Sequence, residues 1–370
     1  MIKVNEDMLI DDLLYTASAF SGDVNKNFIK NNYGNFLILN ESLMFNFGKV
    51  VLLDGIVNTG YYERVLQRKE TQAVQKFAEF LDSNQNCLLE LSKNYCNTMD
   101  EIDFKGYPFW DSLRRYNEKD FKDLILGYYS TFGNDLYSSV KKYFDEERIH
   151  VGTLKEDNEY AGFFVGLQWL DSGYIFSVYD YFDSATASSI VHELGHALDA
   201  EKFLFPQKKN LTIFSDSLVE VPSTTFEFGF NDYLRNNHID PNGGYILENC
   251  RIDNMKLYFD TLKQVFETPD EMSVYADGFA EDTAGNQYDV RDSIIYGLGY
   301  YFALHLNLIR ESSNNDFLKI YNNLITSRKE MTFEDSIKSL GLSVDDFVSG
   351  KYIKPKLEQN VLELKKRYKY

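Results

Sequence analysis

Proline is scarce, with six in 370 residues, and no Gly/Ser-rich or low-complexity stretch interrupts the chain. Nothing therefore reads as a linker or an internal repeat, and a chain of this length can bury a large core as one domain or as two lobes. The three cysteines, Cys87, Cys96 and Cys250, are odd in number and lack metal-site spacing. That argues against a disulfide framework and for ordinary thiols in a reducing compartment. Long apolar runs are missing too. The most apolar segment, "SIIYGLGYYFALHLNLI" at 293–309, falls short of the ~20 residues a bilayer span needs and carries His305 and Asn307, so it reads as a buried helix. Basic residues are outnumbered 38 to 57, a formal charge of −19, and no dense Lys/Arg cluster reverses it locally. Such a surface repels a phosphate backbone, so no nucleic-acid partner is expected. The opening "MIKVNEDMLIDDLL" has no basic stretch followed by an apolar run and a small-residue cleavage site, so the expectation is a cytoplasmic location without membrane attachment.

What is present is a 44% hydrophobic, 16% aromatic composition that can pack a core. Up to about residue 148 the pattern is mainly helical: Val65, Leu66, Val74, Phe77 and Phe80 recur at steps of three and four. The character changes after "DEERIHVGTLKEDNEY". The runs "AGFFVGLQWL" and "YIFSVYDYF", joined by Asp171, Ser172 and Gly173, predict a hairpin with a glycine-assisted turn. A helix should follow from Asp183 or Ser184, residue types that cap first-turn amides, to about Lys202, with Pro206 marking its exit. Helical patterns resume in "SDSLVEVPSTTFEFGFNDYL", "RIDNMKLYFDTLKQVF", 293–311 and "PKLEQNVLELKKRYKY". This divides the chain into an N-terminal helical lobe, 1–148, and a second region, 149–370.

Histidine is rarer than proline, yet two of the five stand four residues apart in "SSIVHELGHALDAEKF". On a helix, positions i and i+4 share one face, so His192 and His196 can aim ring nitrogens at a common point about 2 Å from each. Glu193 sits one step around the helix, beside that point, where it can take a proton from metal-bound water and pass it to a leaving amine. Gly195 removes side-chain bulk and permits another segment to approach. With so few histidines, the HExxH pattern arises by chance in fewer than about 1 in 100 such chains. A catalytic zinc takes three protein ligands and leaves a position open. His150, His238 and His305 are not placed for an extended motif, so an acidic residue on the following helix is the natural third ligand; Glu220, in "LVEVPSTTFE", lies 24 residues beyond His196.

"HELGH" followed at that interval by "VEVPSTTFE" resembles the M3 family of zinc peptidases, the thimet oligopeptidase and oligoendopeptidase F group. The resemblance implies one Zn2+ per chain held by His192, His196 and Glu220, with Glu193 as general base. It also implies a role for Glu227, seven residues beyond Glu220 on the same helical face, in orienting a ligand imidazole. "GYIFSVYDYFDSATASSIVHELGH" looks like the family's strand leading into its zinc helix. "FLKIYNNLITSRKEMTFEDSIKSLGLSVDDFVSG", with its turn at Gly341 to Asp345, resembles the C-terminal helices, so that 150–365 is covered. An extended peptide would then lie along Tyr174 to Phe182.

The chain departs from the family in three places. Asp199 stands where members carry a histidine three residues after the second zinc histidine, and becomes a second candidate for hydrogen-bonding a ligand. The N-terminal helical part, which in the family helps wall a deep channel, is abbreviated. Matching "YGLGYYFAL" to the family's tyrosine-rich stretch puts Tyr296 on an oxyanion-stabilising tyrosine, but Gln287 and Asp292 fall where the family has a histidine and an earlier tyrosine; Tyr300 and Tyr288 are alternative donors.

The expectation is a mainly α fold with a small sheet beside the HExxH helix, of the gluzincin kind, in two lobes around a cleft. Its expected activity is zinc-dependent endopeptidase cleavage of short peptides, with Glu193 moving the proton and Tyr296 steadying the oxyanion. Two alternatives stay open: a zinc-retaining peptide-binding or regulatory protein without turnover, and a zinc amidase for a non-peptide or modified substrate.

Overall fold

Helices dominate the structure, a computed structural model that describes residues 60–102, 113–151, 162–167, 172–177, 182–204, 217–268, 272–274, 279–327 and 331–368. The start of the N-terminal helical pattern and Pro206 lie outside these residues. In chain order come α1 (Gly60–Glu101), α2 (Glu118–Ser130), α3 (Asn134–Asp145), β1 (Ile149–Val151), β2 (Gly162–Leu167), β3 (Ser172–Ser177) and α4 (Ser184–Asp199). A π-helical turn, Ala200–Leu204, extends α4. Then follow α5 (Val221–Asn236), α6 (Pro241–Glu267), β4 (Met272–Val274), β5 (Phe279–Asp282), β6 (Gln287–Asp289), α7 (Val290–Ser312), α8 (Asn314–Ser327), α9 (Phe333–Ser339), α10 (Val344–Val348) and α11 (Lys354–Tyr368).

The histidine helix α4 starts at its expected place. Asp183 is extended and its side chain accepts a hydrogen bond from the Thr186 amide at 2.9 Å, satisfying one first-turn donor. Ala187, Ile190, Val191, Leu194 and Ala197 are fully buried, so α4 is covered on most of its surface, as an interior helix must be. It packs on α5; α5 packs on α6 and α7; α6 lies against α7 and α1. Tyr128 and Tyr129 of α2 cap this layer, donating to the carbonyls of Phe226 and Val191 at 2.7 and 3.3 Å. Each buried hydroxyl thus keeps a partner while its ring fills the core. Gly341, at φ 78°, ends α9, and Ser343 caps α10 by accepting from the Asp346 amide at 3.1 Å. No helix among the described residues is long and apolar enough to cross a membrane.

The sheet beside α4 differs from expectation in register and order. β2 and β3 pair antiparallel, but Ser172 faces Leu167 and Gly173 faces Gly166. Ser172 and Gly173 therefore belong to the strand and not to the turn; residues 168–171 lie outside the described set. β1 joins the other side of β3 in parallel, giving the order β1-β3-β2. β3 is thus central: from Ile175 to Ser177 its backbone is paired on both sides, so these three residues offer no free edge to a peptide placed along Tyr174 to Phe182. Residues 178–181 lie outside the described set, and the Phe182 carbonyl accepts from the Tyr116 amide at 2.7 Å. A second antiparallel sheet, β4-β5-β6, was not anticipated. Its β5–β6 turn is held by Asp282, which accepts from the amides of Ala284 and Asn286 at 2.9 Å each, and by Gly285 at φ 84°, a conformation only glycine adopts freely.

Candidate metal centre

Glu220 occupies the N-cap position of α5, yet its side chain caps nothing. Pro222 in the first turn removes one amide that would need capping, and the carboxylate turns instead toward α4. Its Oε2 lies 3.2 Å from Nε2 of His192 and 3.2 Å from Nε2 of His196. Ser223 Oγ donates to the same oxygen at 2.7 Å, fixing the rotamer. Two glycines allow this approach. A Cβ on Gly195 would stand 2.5 Å from Ser223 Cα, and one on Gly299 of α7 would stand 2.6 Å from Glu220 Cβ. Gly299 escaped the sequence reading, although two glycines in an apolar helix, "YGLGYY", signalled that a backbone must come close.

Around this trio the charges are buried and linked. His192 Nδ1 faces Glu227 Oε2 at 3.0 Å, and Glu227 Oε1 accepts from Arg251 Nε at 2.6 Å. Burial works against charge on His192, but its hydrogen bonds to Glu220 and Glu227 prevail and push its pKa up to about 10. Burial likewise opposes ionisation of Glu220, and the neighbouring His196 and His192 outweigh it, holding the carboxyl well below its usual range. For Glu227 the opposing cause is again burial, overcome chiefly by Arg251. Glu193, 8% exposed on α4, goes the other way: burial raises its pKa, with partial relief from His192 and His196.

The donors fit zinc. Four ligands at 2.0–2.1 Å in a tetrahedron stand about 3.3 Å apart along each edge, and both Nε2-to-Oε2 separations are 3.2 Å. His192, His196 and Glu220 have ligand atoms that all lie within 4.8 Å of one another, and among the described residues no other group of three or more His, Cys, Asp or Glu side chains does so. Two imidazoles and one carboxylate are a donor set that zinc accepts.

By sequence, no family model matches the chain and no curated protein matches it. Solved structures align with nearly the whole chain. The chain is similar to oligoendopeptidase F. A candidate oligoendopeptidase F from Bacillus anthracis strain Ames aligns over 96% of this chain and 69% of its own length, at 12% identity and TM-score 0.45. PZ peptidase A, solved with an inhibitor, aligns over 97% of this chain and 72% of its own, at 11% identity and TM-score 0.49. A candidate peptidase from Chlamydophila abortus aligns over 97% and 63%, at 15% identity and TM-score 0.47.

The remaining sequence candidates separate. Tyr296, on α7, is half-buried and stacks on Tyr258 of α6 with centroids 5.7 Å apart. Its hydroxyl pKa is raised well above the usual value, first by the charge of Glu220, which puts it within electrostatic reach of the ligand trio. Tyr300 is buried, edge-on to Phe228. Tyr288 has other partners: it accepts from Gln264 and donates to Asp282 at 2.8 and 3.1 Å. Asp199 is buried at the end of α4 and is not part of the ligand trio. Arg251 and Tyr258, both on α6, carried no local motif that pointed to them.

Proposed function

We propose that the chain is a zinc-dependent endopeptidase that cleaves internal bonds of short peptides, with the ligand trio, Glu193 and Tyr296 lining one cleft between two lobes. The observation that supports it best is that Oε2 of Glu220 stands 3.2 Å from Nε2 of both His192 and His196, with Glu193 on the same helix as the two histidines. His192, His196 and Glu220 would hold the zinc, which would supply Lewis-acid polarisation of the scissile carbonyl and a more acidic water. The protein's own groups do the rest. Glu193, whose carboxylate is desolvated and therefore a stronger base than in water, takes a proton from the attacking water and delivers it to the leaving amine. Glu227 accepts from His192 Nδ1–H, which keeps the Nε2 lone pair directed at the trio's centre. Tyr296 donates its O–H to the oxyanion, a contact made in the transition state and absent from the ground state.

The test is cleavage of a quenched-peptide library, from about five to thirty residues, a span that brackets short-peptide recognition. Metal-loaded protein is compared with its Glu193→Ala variant and a chelated sample. Internal cleavage that requires both zinc and Glu193 supports the reading. Absence of cleavage in a zinc-loaded wild type overturns it.

A further inference from the structure

Glu227 is the most deeply buried acid of the site, its side chain 1% exposed, and a carboxylate so placed needs a partner for each oxygen. Oε2 faces His192 Nδ1. Oε1 accepts from Arg251 Nε at 2.6 Å and from Ser188 Oγ at 3.3 Å. The line from Arg251 through Glu227 and His192 to Glu220 is therefore continuous, with separations of 2.6, 3.0 and 3.2 Å, and it ties α6 to α4 and α5.

We propose that Arg251 is a positioning residue for His192: by holding Glu227 Oε1 it aims Oε2 at Nδ1, so that Nδ1 keeps its hydrogen and Nε2 offers its lone pair to the metal. The inference rests on the zinc reading above and adds a charge argument to it. With both imidazoles neutral, the buried site carries three carboxylates, Glu193, Glu220 and Glu227. A divalent cation supplies two of the three positive charges they require, and Arg251 supplies the third. Without Arg251, Glu227 Oε1 loses its nearest donor and a buried negative charge is left over, so the carboxylate turns from His192 toward the cation. His192 then loses the acceptor that fixes its tautomer. A guanidinium suits the task because its fixed donors hold one oxygen in place while staying charged at every working pH.

The experiment is zinc affinity by chelator competition on the full chain, for wild type, R251M, R251K, E227Q and the R251M/E227Q double variant, with circular dichroism as a check on folding. Removing the orienting partner of a ligand imidazole weakens metal binding about 10- to 100-fold, which is the loss expected for R251M. R251K, which restores charge without the fork, should recover to within about fivefold of wild type. Because Arg251 acts through Glu227, the double variant should bind no more weakly than E227Q alone. A folded R251M that binds zinc like the wild type overturns the inference, and so does a double variant whose losses add. If R251M alone does not fold, the E227Q background decides, since no buried charge there requires the arginine. One zinc per wild-type chain with unaltered R251M removes this inference alone, whereas a wild type that binds no zinc removes the zinc reading as well.

Discussion

Gly195 lies against Ser223 so closely that a Cβ at residue 195 would stand 2.5 Å from the Ser223 Cα and 2.8 Å from the Pro222 carbonyl oxygen. Both obstacles are backbone, which cannot swing aside. Gly195→Ala should therefore push α5 away from α4, destabilising the protein by about 1 to 3 kcal/mol, as overpacking does, and weakening zinc binding because Glu220 rides on the displaced segment. Thermal denaturation and chelator competition read the two effects. A variant with wild-type melting and affinity would show that this contact does not set the site.

Metal binding should release protons. His192 and His196 both have raised pKa values, His192 to about 10, so at neutral pH His192 carries the proton that a cation must displace. Zinc affinity should fall as pH falls, and at pH 7 calorimetry in buffers of different ionisation enthalpy should report at least about one proton released per zinc. An enthalpy independent of buffer would contradict this ligand set.

Tyr296→Phe should lower kcat by on the order of 10²-fold with little change in KM, the signature of a donor used in the transition state. Tyr288→Phe should leave kcat unchanged, because that hydroxyl is engaged by Gln264 and Asp282. Steady-state kinetics on one cleaved peptide separates the two. An unchanged kcat for Tyr296→Phe would assign the oxyanion to another group.

His305 predicts an acid-sensitive core away from the metal. It is 3% exposed, stacks on Phe347 with centroids 5.1 Å apart, and burial lowers its pKa to about 3. The unfolded chain takes up a proton near pH 6.5 while the folded chain resists it, so stability is full above pH 6.5 and drains away as pH falls toward 3. Between pH 7 and pH 5 the loss is about 2 kcal/mol. Denaturant melts should show that loss in the wild type and a smaller one in His305→Phe.

Local chemistry made much of this legible. The cap at Asp183, the i, i+4 histidines and the glycine between them each act within one turn of α4, where sequence spacing is spatial spacing. Glu220 could be picked out because a third ligand had to be an acidic residue on the next helix, and "VEVPSTTFE" resembles the family stretch that supplies one. The strand order was beyond reach: nothing in "IHV" announces that β1 lies parallel to β3, and that pairing occupies the edge of Ile175 to Ser177. The hairpin register moved because Ser172 and Gly173, residue types common in turns, are the first residues of β3. Arg251 and Gly299 matter only through contacts across 24 and 79 residues of chain, to Glu227 and Glu220, and no local pattern encodes such contacts.

The central claim is that His192, His196 and Glu220 hold one zinc, and X-ray absorption at the zinc edge of the loaded protein tests it most directly. The account predicts a four-coordinate ion with two imidazoles at about 2.0–2.1 Å, oxygen donors completing the shell and no sulfur. A shell of oxygens without imidazole scattering, or one containing thiolate sulfur, would contradict it.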